Sequence, residues 1–300
     1  MRNSLQGAAV LAALLTSAAH GAEFPPSPAP RTAEEAFAGR VPTVAGLPLG
    51  SAYASVEATF EAAGDAFQLK RGNRELRLGN DRDGSVEYGF PETLQLAGKA
   101  GVGGDIREDR TATFSSPLTG SQMLTLVRDI APAGTTELSV PDFEKAIVAA
   151  LGEPTGRYTE TTPKWSYVWI DGRLVAGTEV PQLVATVGAT MEAVGIGDGD
   201  LTLLEGRIDR CAGLMKPLGN DPLIDISNEV ASGRDVPDDC TAMATVTFYP
   251  GSQLDLSRRI EVRLFYAQAI VEDAKAVGTF VRDALRSGAG RKSGVAIDKF

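Results

Sequence analysis

The chain has 300 residues, a formal net charge of −10, and 43% hydrophobic against 23% charged residues. That length and balance support a packed core and exclude a fibrous, low-complexity or disordered protein. The acidity disfavours nucleic acid and anionic membrane surfaces as partners and suits a soluble protein or one that meets a basic protein.

The first residues read as an export signal over 1–21. Arg2 gives a positive end, "GAAVLAALLTSAA" an apolar run too short to span a bilayer comfortably, and "AHG" or "HGA" a small-residue cleavage site near Gly21 or Ala22. No later stretch is long and apolar enough for a membrane span. The expected location is therefore periplasmic or secreted. Residues 22–43, "EFPPSPAPRTAEEAFAGRVP" and its flanks, carry five prolines and read as an extended linker, with order expected from Val44.

A first unit is expected over 44–135. Tyr53, Val56, Phe60 and Ala63 recur at helical spacing, with Ser51 as a candidate N-cap and Gly64 as a stop. "AFQLKRGNRELRLGN" alternates around Gly72-Asn73 like a hairpin, and "GSVEYGFPETLQLAG" and "QMLTLVRDIA" read as two further strands.

A second unit follows over 136–300. Ser139 and Asp142 fit a capping box, Pro141 suits a first turn, and Phe143, Ile147 and Leu151 line one face of a helix that Gly152 ends. "KWSYVWIDGRLVAG" reads as a hairpin turning at Asp171-Gly172. "TAMATVTFYPG" and "RRIEVRLFYAQ" are strands, and Ile270, Ala274, Val277, Val281 and Ala284 share one side of a closing helix. The pattern helix, hairpin, two strands, given twice, predicts an α+β fold of two repeated helix-plus-antiparallel-sheet units with a C-terminal helix. Cys211 and Cys240, the only cysteines, are expected to form one disulfide in an oxidising compartment and to staple a turn-rich insertion.

Much chemistry is missing. The only histidine is His20, at the edge of the signal, which removes the commonest general base and His-ligated metal sites. Neither G-x-S-x-G nor S-x-x-K occurs. "SGAGRKSG" misses the phosphate-loop spacing because Arg291 precedes Lys292, and "GNDRDGSVE" and "IGDGD" miss calcium-loop spacing. No cofactor or metal is implied. A hydrolase working through Asp and Glu, or a carbohydrate-binding protein, is the alternative to a binding module, and its mark would be two carboxylates about 5–9 Å apart in a deep cleft.

Trp165, Tyr167 and Trp169 share one strand face by the period of two, and both tryptophans of the chain lie on it. That face is either core under the 141–151 helix or a displayed binding surface, in which case Glu160 and Asp171 would steer a basic partner. The run from Val140 through "FEKAIVAALGEPT", then "KWSYVWIDG" and "TVTFYPGSQL", resembles the BamE/SmpA-type outer-membrane assembly proteins and their β-lactamase-inhibitory-protein-like (BLIP-like) relatives. Leu151, Gly152, Pro154, Trp165 and Tyr167 match the pattern; the long chain, the long insertion and the missing lipid-bearing cysteine depart from it. The resemblance implies a non-enzymatic extracytoplasmic module whose sheet face binds another protein, with Trp165, Tyr167 and Trp169 as anchors.

Overall fold

The computed structural model describes residues 24–25, 31–80, 84–99, 106–158, 162–177, 211 and 239–286. The expected signal, Glu160, "IGDGD", "SGAGRKSG" and most of the insertion lie outside them. In chain order the elements are α1 (Ala33–Ala36), β1 (Thr43–Val44), β2 (Leu47–Pro48), α2 (Tyr53–Glu61), β3 (Phe67–Asn80), β4 (Gly84–Gly98) and β5 (Ile106–Phe114). A 3-10 turn at Pro117–Thr119 leads to β6 (Met123–Pro132), β7 (Leu138–Ser139), α3 (Val140–Leu151), β8 (Gly156–Tyr158) and β9 (Lys164–Ile170). β10 (Arg173–Leu174), β11 (Cys240–Pro250), β12 (Leu256–Phe265) and α4 (Ala267–Arg286) close the series.

The fold is α+β, built on one large antiparallel sheet in the order β10-β9-β11-β12-β6-β5-β4-β3, with β7 beside β12 and β8 beside β9. β6 and β12 pair from Thr125↔Phe265 to Ile130↔Ile260, so both halves of the chain share this sheet. No helix among the described residues is long and apolar enough to cross a membrane.

Register assigns the two faces. Tyr167, Ala244, Leu264, Leu126, Ala112 and Leu94 are successive cross-strand partners and form one apolar row across six strands. This first face packs with Val56 and Phe60 of α2, Ile147 and Leu151 of α3, and Ala33 and Ala36 of α1 into the main core. One residue out of register lie Ser166, Thr245, Arg263, Val127, Thr111, Gln95 and Lys70, which point to the second face because successive strand residues alternate. At one end of that face Cys211 and Cys240 join Val168, Ile170, Val175, Met243, Phe265 and Ala267 in a smaller cluster. The two cysteines form the disulfide, with Cα atoms 5.4 Å apart as a bridge requires.

α3 follows its signals: Ser139 Oγ accepts from the Asp142 amide at 3.4 Å, and Gly152 ends the helix at φ 93°. Elsewhere the sequence expectation needs correction. Gly72-Asn73 is not a turn. β3 runs straight through it with a register shift, and a Cβ at Gly72 would lie 2.1 Å from Thr93 Oγ1, so a larger residue there would require Thr93 to turn away. β3 ends at Asn80 and β4 begins at Gly84, and β5 is a strand that was not anticipated. Ser51 does not cap α2. Its hydroxyl donates to Pro48 O at 2.7 Å, and the N-cap is Ala52.

Order also begins before Val44. Thr32 and Glu35 form a reciprocal capping box on α1, whose Ala33 and Ala36 are buried, and Phe37 packs on Tyr266 at 5.6 Å. Phe24 sits among Tyr88, Phe90 and Phe280, with centroids 5.2–5.6 Å away. α4 lies across the end of the sheet and fastens the 3-10 turn: Asp273 Oδ1 accepts from the Ser116 amide at 3.0 Å and from the Ser116 and Thr119 hydroxyls at 2.5 Å.

Candidate functional site

The stretch from Leu151 to Leu174 organises one end of the sheet. Leu151 is core, Gly152 turns the chain out of the helix, and Pro154 and Thr155 are buried as the chain enters β8. β8 covers β9 at residues 164–166 and β10 covers it at 169–170, which leaves a gap in the ladder between them. The Thr155 hydroxyl fills that gap, accepting from the Val168 amide at 3.0 Å and donating to Val175 O at 2.6 Å. The turn expected at Asp171-Gly172 is present, with both residues at positive φ, 48° and 77°, as a two-residue hairpin turn of this kind requires.

Trp165, Tyr167 and Trp169 are core residues, exposed by 5%, 0% and 3%. The expectation of a displayed aromatic face is therefore corrected. These rings lie on the face that α3 covers, Trp165 meets Phe248 edge-on at 5.1 Å, and Tyr167 stacks on Trp169 at 6.2 Å. Arg157 closes the top, its guanidinium 4.7 Å from the Trp165 ring and paired with Glu144 and Glu153. Burial pushes the Tyr167 phenol up, and its hydroxyl has no hydrogen-bond partner among the described residues. Of the anticipated steering charges, Asp171 is exposed at its turn and Glu160 is outside the described residues.

The second face offers a different surface. On β9, β11 and β12 Ser166, Thr245, Thr247 and Glu261 of this face are covered, at 4–8% exposure, while Arg259 and Arg263 are partly exposed. Over the middle of β3 to β6 the face is open: Lys70 and Gln95 are exposed, and Asp109, Thr111, Val127 and Asp129 are half-buried, whereas Thr125, Leu78 and Phe90 at its margins are buried. An ion lattice runs along its edge. Arg259 grips Asp129 through two nitrogens at 2.8 and 2.6 Å and reaches Glu261 at 3.0 Å, Arg263 holds Glu261 at 2.6 Å, and Arg107 holds Asp109 at 2.8 Å. Asp109, Asp129 and Glu261 are consecutive cross-strand partners, yet each is engaged by arginine, and no metal-holding group of side chains occurs among the described residues.

A second lattice stands on the first face beyond the helices. Arg110 and Arg128 are direct cross-strand partners, and Glu108 separates their charges, accepting from Arg110 at 2.5 Å and from two nitrogens of Arg128 at 2.8 and 3.0 Å. Burial alone would push the Glu108 carboxyl up, but the hydrogen bonds from Arg128 and Arg110 outweigh it and hold it below 4.5. A depressed carboxyl contributes stability above its unfolded pKa and loses it as pH falls through the folded value. Glu108→Gln is expected to lower stability by about 1–3 kcal/mol at neutral pH, because it leaves two half-buried guanidinium groups facing each other. The difference from wild type should narrow as pH falls below 4.5; a difference constant with pH in denaturant titrations would contradict this assignment.

One cleft of about 330 Å³ opens between the end of α3, the segment after α1 and the β9–β10 turn. Its walls include Val148, Leu151, Trp169 and Leu174, with Arg40 and Arg173 as its charged residues. Among the described residues neither an aspartate nor a glutamate lines it, so these do not supply the carboxylate pair that a glycosidase mechanism needs. The sequence reading missed Arg40, Arg173 and the second-face lattice. The alternating charges of "IREDRTATF" and "SRRIEVRLF" were the available signal for the lattice. No protein-family model matches this chain, and no curated protein or solved structure is significantly similar to it.

Proposed function

We propose that the protein is an exported, non-enzymatic protein-binding or inhibitory module of the cell envelope, and that it binds through the open second face of its sheet. The observation that carries this reading is the surface over β3 to β6, where half-exposed polar side chains stand on a rigid sheet beside ion pairs already held in place. A preorganised face loses little conformational entropy when a partner arrives. The partner is an extracytoplasmic protein with a basic contact surface, since the net charge of −10 speeds encounter with positive patches. The disulfide is in keeping with an oxidising compartment. A BLIP-like two-unit organisation is supported by the order α2 then β3 to β6, and α3 then β9, β11 and β12, with the last strands of the two series paired.

The test is affinity capture from the native envelope and culture fluid with the mature, disulfide-intact protein. Wild type is run beside a Thr111→Arg/Val127→Arg variant, whose two sites are cross-strand partners at the centre of the open face. The reading expects a partner retained by wild type and lost by the variant at unchanged thermal stability. Equal retention by the folded variant would move the site elsewhere, and the absence of any specific partner would count against a binding module.

A further inference from the structure

We propose that the outer edge of β3 is a self-association surface, on which a second copy of this chain pairs its own β3 in antiparallel register about a two-fold axis at Asn73. The proposal does not rest on the second-face reading, and its test needs no binding partner.

The two edges of the large sheet are built differently. At the β9 edge the covering strands are short, 3 residues in β8 and 2 in β10, and the Thr155 hydroxyl takes the Val168 amide left between them. That edge offers only short runs of backbone to another strand. At the opposite edge β3 runs for 14 residues and, among the described residues, pairs as a strand only with β4. It contains no proline, and the register shift opposite Gly72 and Asn73 leaves its extra residue, Glu92, on β4, so β3 itself is regular. A long regular edge presents a row of N–H and C=O groups with which a further strand can pair.

Charged side chains are the usual guard of such an edge. Here most of them are matched within the chain: Arg71 is held by Glu57 and Glu61, Arg74 by Glu92 and Arg77 by Glu87. Glu75 is exposed, and no ion pair to it occurs among the described residues.

Symmetry then selects the register. Directly opposed residues of an antiparallel pair share a face, so a two-fold axis normal to the sheet falls at a residue and opposes only residues an even number of places apart. With Gly72 on the axis, Lys70 would oppose Arg74 of the second copy; with Arg74 on the axis, it would oppose its own counterpart. Both bring like charges together, which destabilises a pair. With Asn73 on the axis, Arg71 opposes Glu75 of the second copy, twice by symmetry, and the two exposed Asn73 carboxamides face each other as donor and acceptor. Arg71 engages Glu57 through Nε and Glu61 through Nη2, which leaves Nη1 for this contact. Lys70 opposes Leu76, along which its methylene stem can lie. Because the axis is normal to the sheet, the second faces of the two copies stand side by side, pointing the same way.

The experiment is sedimentation equilibrium of the disulfide-intact protein at increasing concentration, with Glu75→Lys alongside and with Asn73→Cys and Lys70→Cys under mild oxidation. Wild type is expected to move from the monomer mass to twice that mass in the micromolar range. Glu75→Lys, at an exposed position, should weaken the dimer about tenfold or more at an unchanged thermal midpoint, because it sets cations opposite each other twice. Asn73→Cys should link into a covalent dimer, since opposed residues of an antiparallel pair lie within disulfide reach, and Lys70→Cys, far from its counterpart in this register, should not. A wild type that stays monomeric at every concentration, leaving the edge to an extended segment of another protein, would overturn the proposal. So would a Glu75→Lys variant that dimerises like wild type, or equal cross-linking of the two cysteine variants.

Discussion

Trp165→Ala is expected to destabilise the protein by about 3–5 kcal/mol, the range for removing a large aromatic from a packed core. The ring is 5% exposed and is held between Phe248 at 5.1 Å and the Arg157 guanidinium at 4.7 Å, so its loss leaves a void and an arginine stripped of its aromatic surface. The neighbouring Tyr167→Phe should behave in the opposite way. It removes a buried hydroxyl without a partner among the described residues and is expected to be neutral or to stabilise by up to about 1 kcal/mol. Urea unfolding of the two variants makes the comparison. An unchanged midpoint for Trp165→Ala would mean that the aromatic row is not core.

Thr155→Val is expected to cost about 2–4 kcal/mol although it preserves shape. The hydroxyl joins the Val168 amide to the Val175 carbonyl, beside the direct bond from the Val175 amide to Val168 O at 3.0 Å, and all three residues are at 0–2% exposure. Valine would leave a donor and an acceptor buried without partners, each worth about 1–3 kcal/mol. Thr155→Ser keeps the hydroxyl and should lose much less. The measurement is denaturant unfolding with amide hydrogen exchange at Val168, whose protection should fall in the valine variant alone. Equal protection in valine and serine variants would remove the hydroxyl from this role.

Thr155 also shows where legibility ended. Leu151, Gly152 and Pro154 could be read as a helix stop, because local backbone chemistry dictates it. The following threonine closes a ladder gap created by β8, β9 and β10 together, and no local pattern encodes that. Ser139, Pro141 and the Asp171-Gly172 turn were legible for the same local reason as the helix stop. Gly72-Asn73 misled because a glycine before an asparagine commonly marks a turn, whereas Gly72 answers to Thr93 on the neighbouring strand. β5 was hidden by its charges, which also find partners across strands: Glu108 on Arg128, Asp109 on the Gly98 amide. α1 is one turn long amid prolines, and its alanines count as core only once Gly172 packs against Ala36.

The aromatic strand was the hardest case. A period of two separates Trp165, Tyr167 and Trp169 from Ser166, Val168 and Ile170. Every residue of β9 after Lys164 is buried, so alternation along this strand carries no sign of which face meets solvent. The answer comes from α3 lying on one face and the disulfide cluster on the other. Binding therefore has to be sought away from these rings, on the open surface over β3 to β6.

The two-sided sheet, aromatic core on one face and open polar surface on the other, is tested most directly by acrylamide quenching of tryptophan fluorescence in the folded, disulfide-intact protein. Trp165 and Trp169 are the only tryptophans, so the signal reports on this face alone. Blue-shifted emission, weakly quenched in the native state and strongly quenched after unfolding, is the predicted result; native emission already red-shifted and quenched like the unfolded chain would contradict it.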